Sequence, residues 1–267
     1  MTSNLDLTNY LTNYKALSFD CYGTLIDWEK GIAAVLVPWA RKQELDLTDD
    51  VLLQTYAAHE ATVERQNPAV LYPEVLATAF RRTGDELGRP VSDEWAHRLG
   101  GSVSDWPAFP DSEDALGRLA ERYALIILSN VHRDGFAQSN QQLNGDFAAV
   151  ITAEDVGAYK PAENHFRALD NALAELGVSG ADLLHVAQSL FHDHVPAKRE
   201  GLASVWINRR HDRPGWGATP KPSDAWSYDL EFKSMGDFAD AVDDAFRGPR
   251  RPAPKERPGP HAEDNVG

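Results

Sequence analysis

The chain has 267 residues, with 26 Lys and Arg against 41 Asp and Glu and a formal net charge of −15. A field of that sign repels phosphate backbones and anionic lipid surfaces, which argues against nucleic-acid and membrane partners and leaves a small-molecule substrate as the expected partner. The single cysteine, Cys21, excludes an intrachain disulfide, and 42% hydrophobic with 25% charged residues is an ordinary globular composition, large enough for one domain or a core plus an insertion.

Met1 to Tyr14 is polar and has no basic start followed by an apolar stretch. No apolar run reaches about 18 residues, so the expectation is a cytoplasmic protein. Ala16-Leu17-Ser18-Phe19 then reads as a strand buried on both faces, stopping at Asp20. Gly23 is the natural place for a sharp turn, and Thr24 is able to bond local backbone. The strand therefore delivers a carboxylate to its carboxyl end, the edge at which open α/β sheets bind ligands. Taken singly, Asp20 reads equally as a turn cap, and Cys21 as a small buried hydrophobe.

Helix-period patterns follow. Ile32, Val35, Leu36 and Trp39 form one stripe. Thr48-Asp49-Asp50 starts a second helix with Val51, Leu52, Tyr56 and Val63, which Asn67-Pro68 ends. Pro73-Glu74 opens a third with Val75, Leu76 and Phe80, and Ser92-Asp93-Glu94 a fourth with Trp95 and Leu99. A helical block from Asp27 to about Ser104 is far longer than the dozen or so residues a simple crossover needs. It reads as an inserted helical cap over residues 27–104.

An alternating rhythm resumes. Strands are expected at Ala124 to Leu128, Ala148 to Ile151, Leu183 to Ala187 and Ser204 to Ile207, with an edge strand at Tyr228-Asp229-Leu230. Helices are expected at Ser112 to Tyr123, Phe136 to Leu143, Ala162 to Leu176, Pro196 to Gly201 and Met235 to Phe246. This is an α/β, Rossmann-like parallel sheet with helices on both faces, residues 1–26 and 105–247 forming the core. Residues 248–267, rich in Pro and charge, read as a disordered tail.

Polar groups now stand at successive strand ends: Asp20, Ser129-Asn130, Lys160 after the third strand, and Asp193 after the fourth. Each alone fits a cap or a surface charge; together, on the ligand edge of one sheet, they point to a site. Asp20-Cys21-Tyr22-Gly23-Thr24-Leu25, Leu128-Ser129-Asn130, Tyr159-Lys160-Pro161 and the segment ending at Asp193 resemble, in that order, the four motifs of the haloacid dehalogenase superfamily. The similarity is to its type II, 2-haloacid dehalogenase-like branch and runs over roughly residues 15 to 245. The resemblance implies that Asp20 is a nucleophile forming a covalent ester. Ser129 holds Asp20 or the substrate, Lys160 keeps Asp20 ionised, and Asp193 orients or deprotonates the hydrolytic water. Tyr22, Thr24, Asn130 and Gln188 on the core, with Tyr56, His59 and Glu60 on the cap, are read as substrate-binding.

Phosphatases of the superfamily carry a second Asp two residues after the nucleophile, where this chain has Tyr22, whose pKa of about 10 suits a general acid poorly at neutral pH. They also carry two acids five apart in the fourth motif, where this chain has Gln188 in the first place, and Mg²⁺ prefers charged oxygens. The expectation is (S)-2-haloacid dehalogenation without a metal or other cofactor. A Mg²⁺-dependent phosphatase and a non-catalytic binding protein stay open as alternatives. The halide-receiving arginine of the branch has no clear counterpart: the cap helix offers Gln54, Tyr56, His59, Glu60 and Glu64, with Arg65 the nearest guanidinium. His192 and His194 are also outside the pattern. Glu60 and Glu64, spaced i,i+4, share a helix face and, with His59, read as a cap-side acid/base pair, as a docking site for a cationic or amine-bearing substrate, or as a solvated face. The apolar cap helices leave room for a homodimer.

Overall fold

The structure is a computed structural model and describes residues 7–213, 215, 219–222 and 225–248. Six parallel strands form one sheet in the order β3-β2-β1-β4-β5-β6: β1 Ala16–Phe19, β2 Ala124–Ser129, β3 Ala149–Thr152, β4 Leu183–Ala187, β5 Ala203–Ile207 and β6 Leu230–Phe232. Strand alternation sends side chains to both faces. Leu17, Phe19, Leu125, Ile127, Leu184 and Val186 join one apolar cluster, with Leu116, Leu119, Phe238 and Val242 of helices α6 (Ser112–Ala120) and α11 (Met235–Arg247). Ile126, Leu128 and Leu183 join the other, with Phe166, Leu169 and Leu173 of α9 (Glu163–Glu175).

Between β1 and α6 the chain is helical: α2 Trp28–Lys42, α3 Asp49–Gln66, α4 Tyr72–Glu86 and α5 Asp93–Gly100, then a short 3₁₀ turn. Thr48 and Ser92 cap α3 and α5 with their hydroxyls, as their sequence positions predict. The three longest helices bury one another through Trp39, Phe80, Leu52, Val63, Val75 and Leu76. Trp39 and Phe80 meet edge to face with centroids 5.1 Å apart.

Two elements differ from the sequence reading. Leu7–Thr12 forms a short helix, α1, with Leu11 fully buried under Tyr123, whose hydroxyl donates to the Leu11 carbonyl. The last strand begins at Leu230 rather than Tyr228, because Asp229 brackets Ser204 instead: its carboxylate accepts from the Ser204 amide at 2.8 Å and its own amide donates to the Ser204 carbonyl. The tail expected over 248–267 falls, after Gly248, outside the described residues. Among the described residues, no helix is long and apolar enough to cross a membrane.

Candidate active site

Asp20 follows β1 directly, at the carboxyl edge of the sheet. The turn after it requires Gly23, whose φ is +97° and where a Cβ would lie 2.8 Å from Trp28 Nε1 and 3.1 Å from Gln188 Oε1. Leu25 and Ile26 return amides to the Cys21 carbonyl, fixing the loop. Thr24 Oγ1 donates to Asp20 Oδ2 at 2.7 Å and accepts from the Gln188 amide at 2.9 Å. It thus ties the Asp20 loop to the end of β4.

Lys160 is 1% exposed. Its Nζ donates to Asp20 Oδ1 at 3.0 Å, to Asp193 Oδ1 at 2.7 Å and to the Leu128 carbonyl at 2.7 Å, so all three N–H bonds are committed. Asn130, just past β2, holds the lysine's backbone: Oδ1 accepts from the Lys160 amide at 2.6 Å and Nδ2 donates to its carbonyl at 3.3 Å. Asp193 sits in a wide, π-type helical turn, Leu190–His194. Its Oδ1 also faces His185 Nε2 at 3.3 Å, while His185 Nδ1 meets Ser18 Oγ at 2.8 Å. A carboxylate only accepts, so Nε2 carries the proton and Ser18 donates to Nδ1. Asp193 Oδ2 is buried with no hydrogen-bond partner.

Burial pushes both aspartates up, but with different outcomes. At Asp193, Lys160 and His185 outweigh burial and hold the carboxyl well below the usual range. At Asp20, burial and the Asp193 charge outweigh Lys160 and Thr24, and the carboxyl lies above its ordinary value. Burial lowers Lys160, but the two carboxylates more than restore it.

These groups open into a cleft of about 460 Å³, mouth included, roofed by α3 and α4. Asp20, Tyr22, Trp28, Asn130, Lys160, Gln188, Ser189, His192, Asp193 and Thr219 line it from below, Glu60, Glu64 and Tyr72 from above. Glu60 and Glu64 are only 7% and 6% exposed. Glu60 Oε1 accepts the hydroxyls of Tyr72 at 2.9 Å and Tyr56 at 3.3 Å, yet burial still pushes its carboxyl up to about 7. Burial and the neighbouring Glu60 push Glu64 well above the carboxylate range, against Lys160 and a hydrogen bond with Asn130. The pair is not a solvated face.

A nucleophile-type carboxylate at the first strand end and a second carboxylate now stand within hydrogen-bond reach of one ammonium under a helical roof. The family described as haloacid dehalogenase-like hydrolase matches residues 14–187. The chain belongs to that family. Its fold is shared with solved relatives. L-2-haloacid dehalogenase from Xanthobacter autotrophicus is 19% identical, with a TM-score of 0.69 over 86% of this chain and 98% of that one. A second structure of that enzyme, with chloropropionic acid covalently bound, has a TM-score of 0.68 at 19% identity, covering 86% of this chain and 98% of that one. The putative HAD-hydrolase YfnB from Bacillus subtilis, bound to magnesium, is 18% identical, with a TM-score of 0.66 over 86% and 99% of the two chains. No protein of curated function matches the sequence.

Of the residues singled out in sequence, the hydrolase brings Asp20, Tyr22, Asn130, Lys160, Asp193, Gln188 and Glu60 to the cleft. Four are elsewhere. His59 points away and pairs with Glu86 of α4 at 2.7 Å, because adjacent helix positions lie about 100° apart and Glu60 takes the inward one. Tyr56 is buried behind Glu60 and Thr24 beneath Asp20, so each bonds a lining carboxylate from outside the cleft. The Ser129 side chain is fully buried, and its hydroxyl has no hydrogen-bond partner. The backbone carbonyl of Ser129 meets His165 Nε2 at 3.1 Å. Tyr22 lines the cleft with its ring but turns its hydroxyl to Ser139 Oγ at 2.8 Å. Sequence reading did not single out Trp28, Tyr72 or Ser189, which also line the cleft. It read His185 only as part of a strand, although a titratable residue inside an apolar run was a signal.

Proposed function

We propose that this hydrolase cleaves the carbon–halogen bond of a small 2-haloacid through a covalent ester on Asp20. The observation that carries the reading is the lysine bridge: one buried ammonium 3.0 Å from Asp20 and 2.7 Å from Asp193. An Asp20 oxygen attacks the carbon bearing the halogen, the C–X bond breaks and the halide leaves with its electron pair, inverting the carbon. Water then attacks the Asp20 carboxyl carbon and its proton passes to Asp193; the bond from that carbon to the substrate oxygen breaks, Asp193 returns the proton to that oxygen, and the 2-hydroxy acid departs, leaving Asp20 as a carboxyl. Asp193 suits that task because Oδ1 is held by Lys160 and His185 while Oδ2 is uncommitted. The covalently bound chloropropionic acid in the fold relative supports the same chemistry by analogy.

The residues fit a magnesium-dependent phosphatase poorly. Asp20 and Asp193 are the two carboxylates at the strand ends, and Lys160 already neutralises them through one oxygen of each. Gln188 offers a neutral amide, and Tyr22 directs its hydroxyl away from the leaving-group side. No step is therefore routed through a metal. The test is a single turnover of 2-chloropropionate in water enriched in oxygen-18, with the active-site peptide read by mass spectrometry. Label in Asp20 is the expected outcome; label in the product alone defeats the reading. Asp193→Asn is expected to accumulate the ester.

A further inference from the structure

Ser189 Oγ accepts the backbone N–H of His192 at 3.0 Å, which turns its own O–H to His192 Nδ1 at 3.1 Å. Ser189 Oγ has a second lone pair, but its O–H has no other acceptor within hydrogen-bond distance among the described residues, so it donates to Nδ1 and the neutral imidazole carries its proton on Nε2. Burial keeps the ring neutral, lowering it to about 4. Nε2 is buried, faces the cleft and has no hydrogen-bond partner; Glu64 Oε2 is the nearest charged oxygen, 3.9 Å away. A buried N–H without an acceptor is costly, so the cleft is built to hold something that accepts there.

The rest of the lining narrows what that acceptor is. Lys160 has no free N–H. Among the described residues, no guanidinium lines this cleft: Arg209 and Arg210 stand beyond Trp28 and Gln188, where Arg209 pairs with Asp111 and Arg210 Nη1 with Glu29, while Arg210 Nε is buried without a partner. Arg65 bonds Thr62 on the outside of α3. An anion formed in this cleft thus meets neutral donors only. We infer that His192 Nε2–H and the carboxyl group of Glu64 form a halide site, receiving the leaving group where an arginine is absent. The pair stands on opposite walls, one on the π-type turn and one on α3, close enough for a single monatomic ion to touch both. As the C–X bond breaks, the halide takes the electron pair and accepts hydrogen bonds from Nε2–H and the Glu64 O–H. Glu60 Oε1 is taken by two tyrosine hydroxyls, and Glu64 is the carboxyl that stands beside Nε2.

The inference rests on the Asp20 reading for the timing of the step, but the site itself is testable alone. Crystals soaked in sodium bromide are expected to show an anomalous peak in contact with His192 Nε2. His192→Phe removes it, and His192→Gln, which keeps an N–H, retains it. No peak, or a peak beside Lys160 that survives His192→Phe, overturns the site. So does a rubidium peak between Glu60 and Glu64 in a parallel soak in rubidium chloride, which would make this a cation pocket. With 2-bromopropionate, His192→Phe is expected to slow the bromide-release phase about 100-fold, as for loss of one donor to a developing anion, while the later ester-hydrolysis phase keeps its rate. Equal slowing of both phases overturns the assignment. Absence of any Asp20 ester in the wild type would defeat the nucleophile reading and leave the bromide result standing.

Discussion

Thr24 shows how much one hydroxyl contributes at this site. It donates to Asp20 Oδ2 and so favours the charged carboxylate that burial and Asp193 oppose. Because Asp20 is raised, the acid limb of kcat/KM is expected above the free-aspartate range of about 3.9; Thr24→Val moves that limb further up, measured in the pH profile. Glu60 acts on stability. The folded protein holds its proton up to about 7, whereas an exposed glutamate gives it up near 4.5. Between those values the folded state binds more protons than the unfolded one, so stability falls as pH rises. Glu60→Gln is expected to remove that part of the fall; urea unfolding at about pH 5 and about pH 8 measures it, Glu64 leaving a residue of the same sign. Asp20, Asn130, Lys160 and Asp193 were legible in sequence because strand ends are marked by where apolar runs stop. His59 was misjudged and Thr24 given the wrong surface because spacing names a helix face or a loop, not the depth at which each side chain comes to rest.

The roof depends on one close helix contact. Gly31 of α2 lies against Trp106: a Cβ there would fall 2.2 Å from the indole ring. Trp106 in turn stands edge-on to Tyr22, centroids 5.5 Å apart, and to Tyr72, 6.2 Å apart, both lining the cleft. Gly31→Ala is therefore expected to cost about 1–3 kcal/mol by overpacking and to lower kcat/KM with it. Gly117→Ala in α6, where nothing lies within 4 Å, is the control and should stabilise by up to about 1 kcal/mol. Denaturation of both variants decides it. The strands and roof helices were readable from apolar periodicity and from the caps Thr48 and Ser92. Helix α1 was not, since six residues carry little period, although Leu7, Tyr10, Leu11 and Tyr14 hold helical spacing. The π-type turn was also hidden, because its wider winding follows from how Asp193 and His194 are buried rather than from residue type.

Over the whole molecule, the −15 charge opposes an approaching organic acid. On the Asp20 reading, kcat/KM for 2-chloropropionate is expected to rise as salt goes from about 10 mM to about 150 mM, where the screening length shortens from about 30 Å to about 8 Å. A steady-state salt series checks it; a fall would mean that a local positive field dominates. The lysine bridge has a consequence for the cycle. Before reaction, one positive charge is shared by two negative ones in a dry interior. Alkylation of Asp20 to the ester neutralises it and leaves Lys160 and Asp193 evenly matched. The covalent adduct is thus the electrically balanced form, the empty enzyme carries the surplus, and the slow half of the cycle is expected to be the escape from that balance.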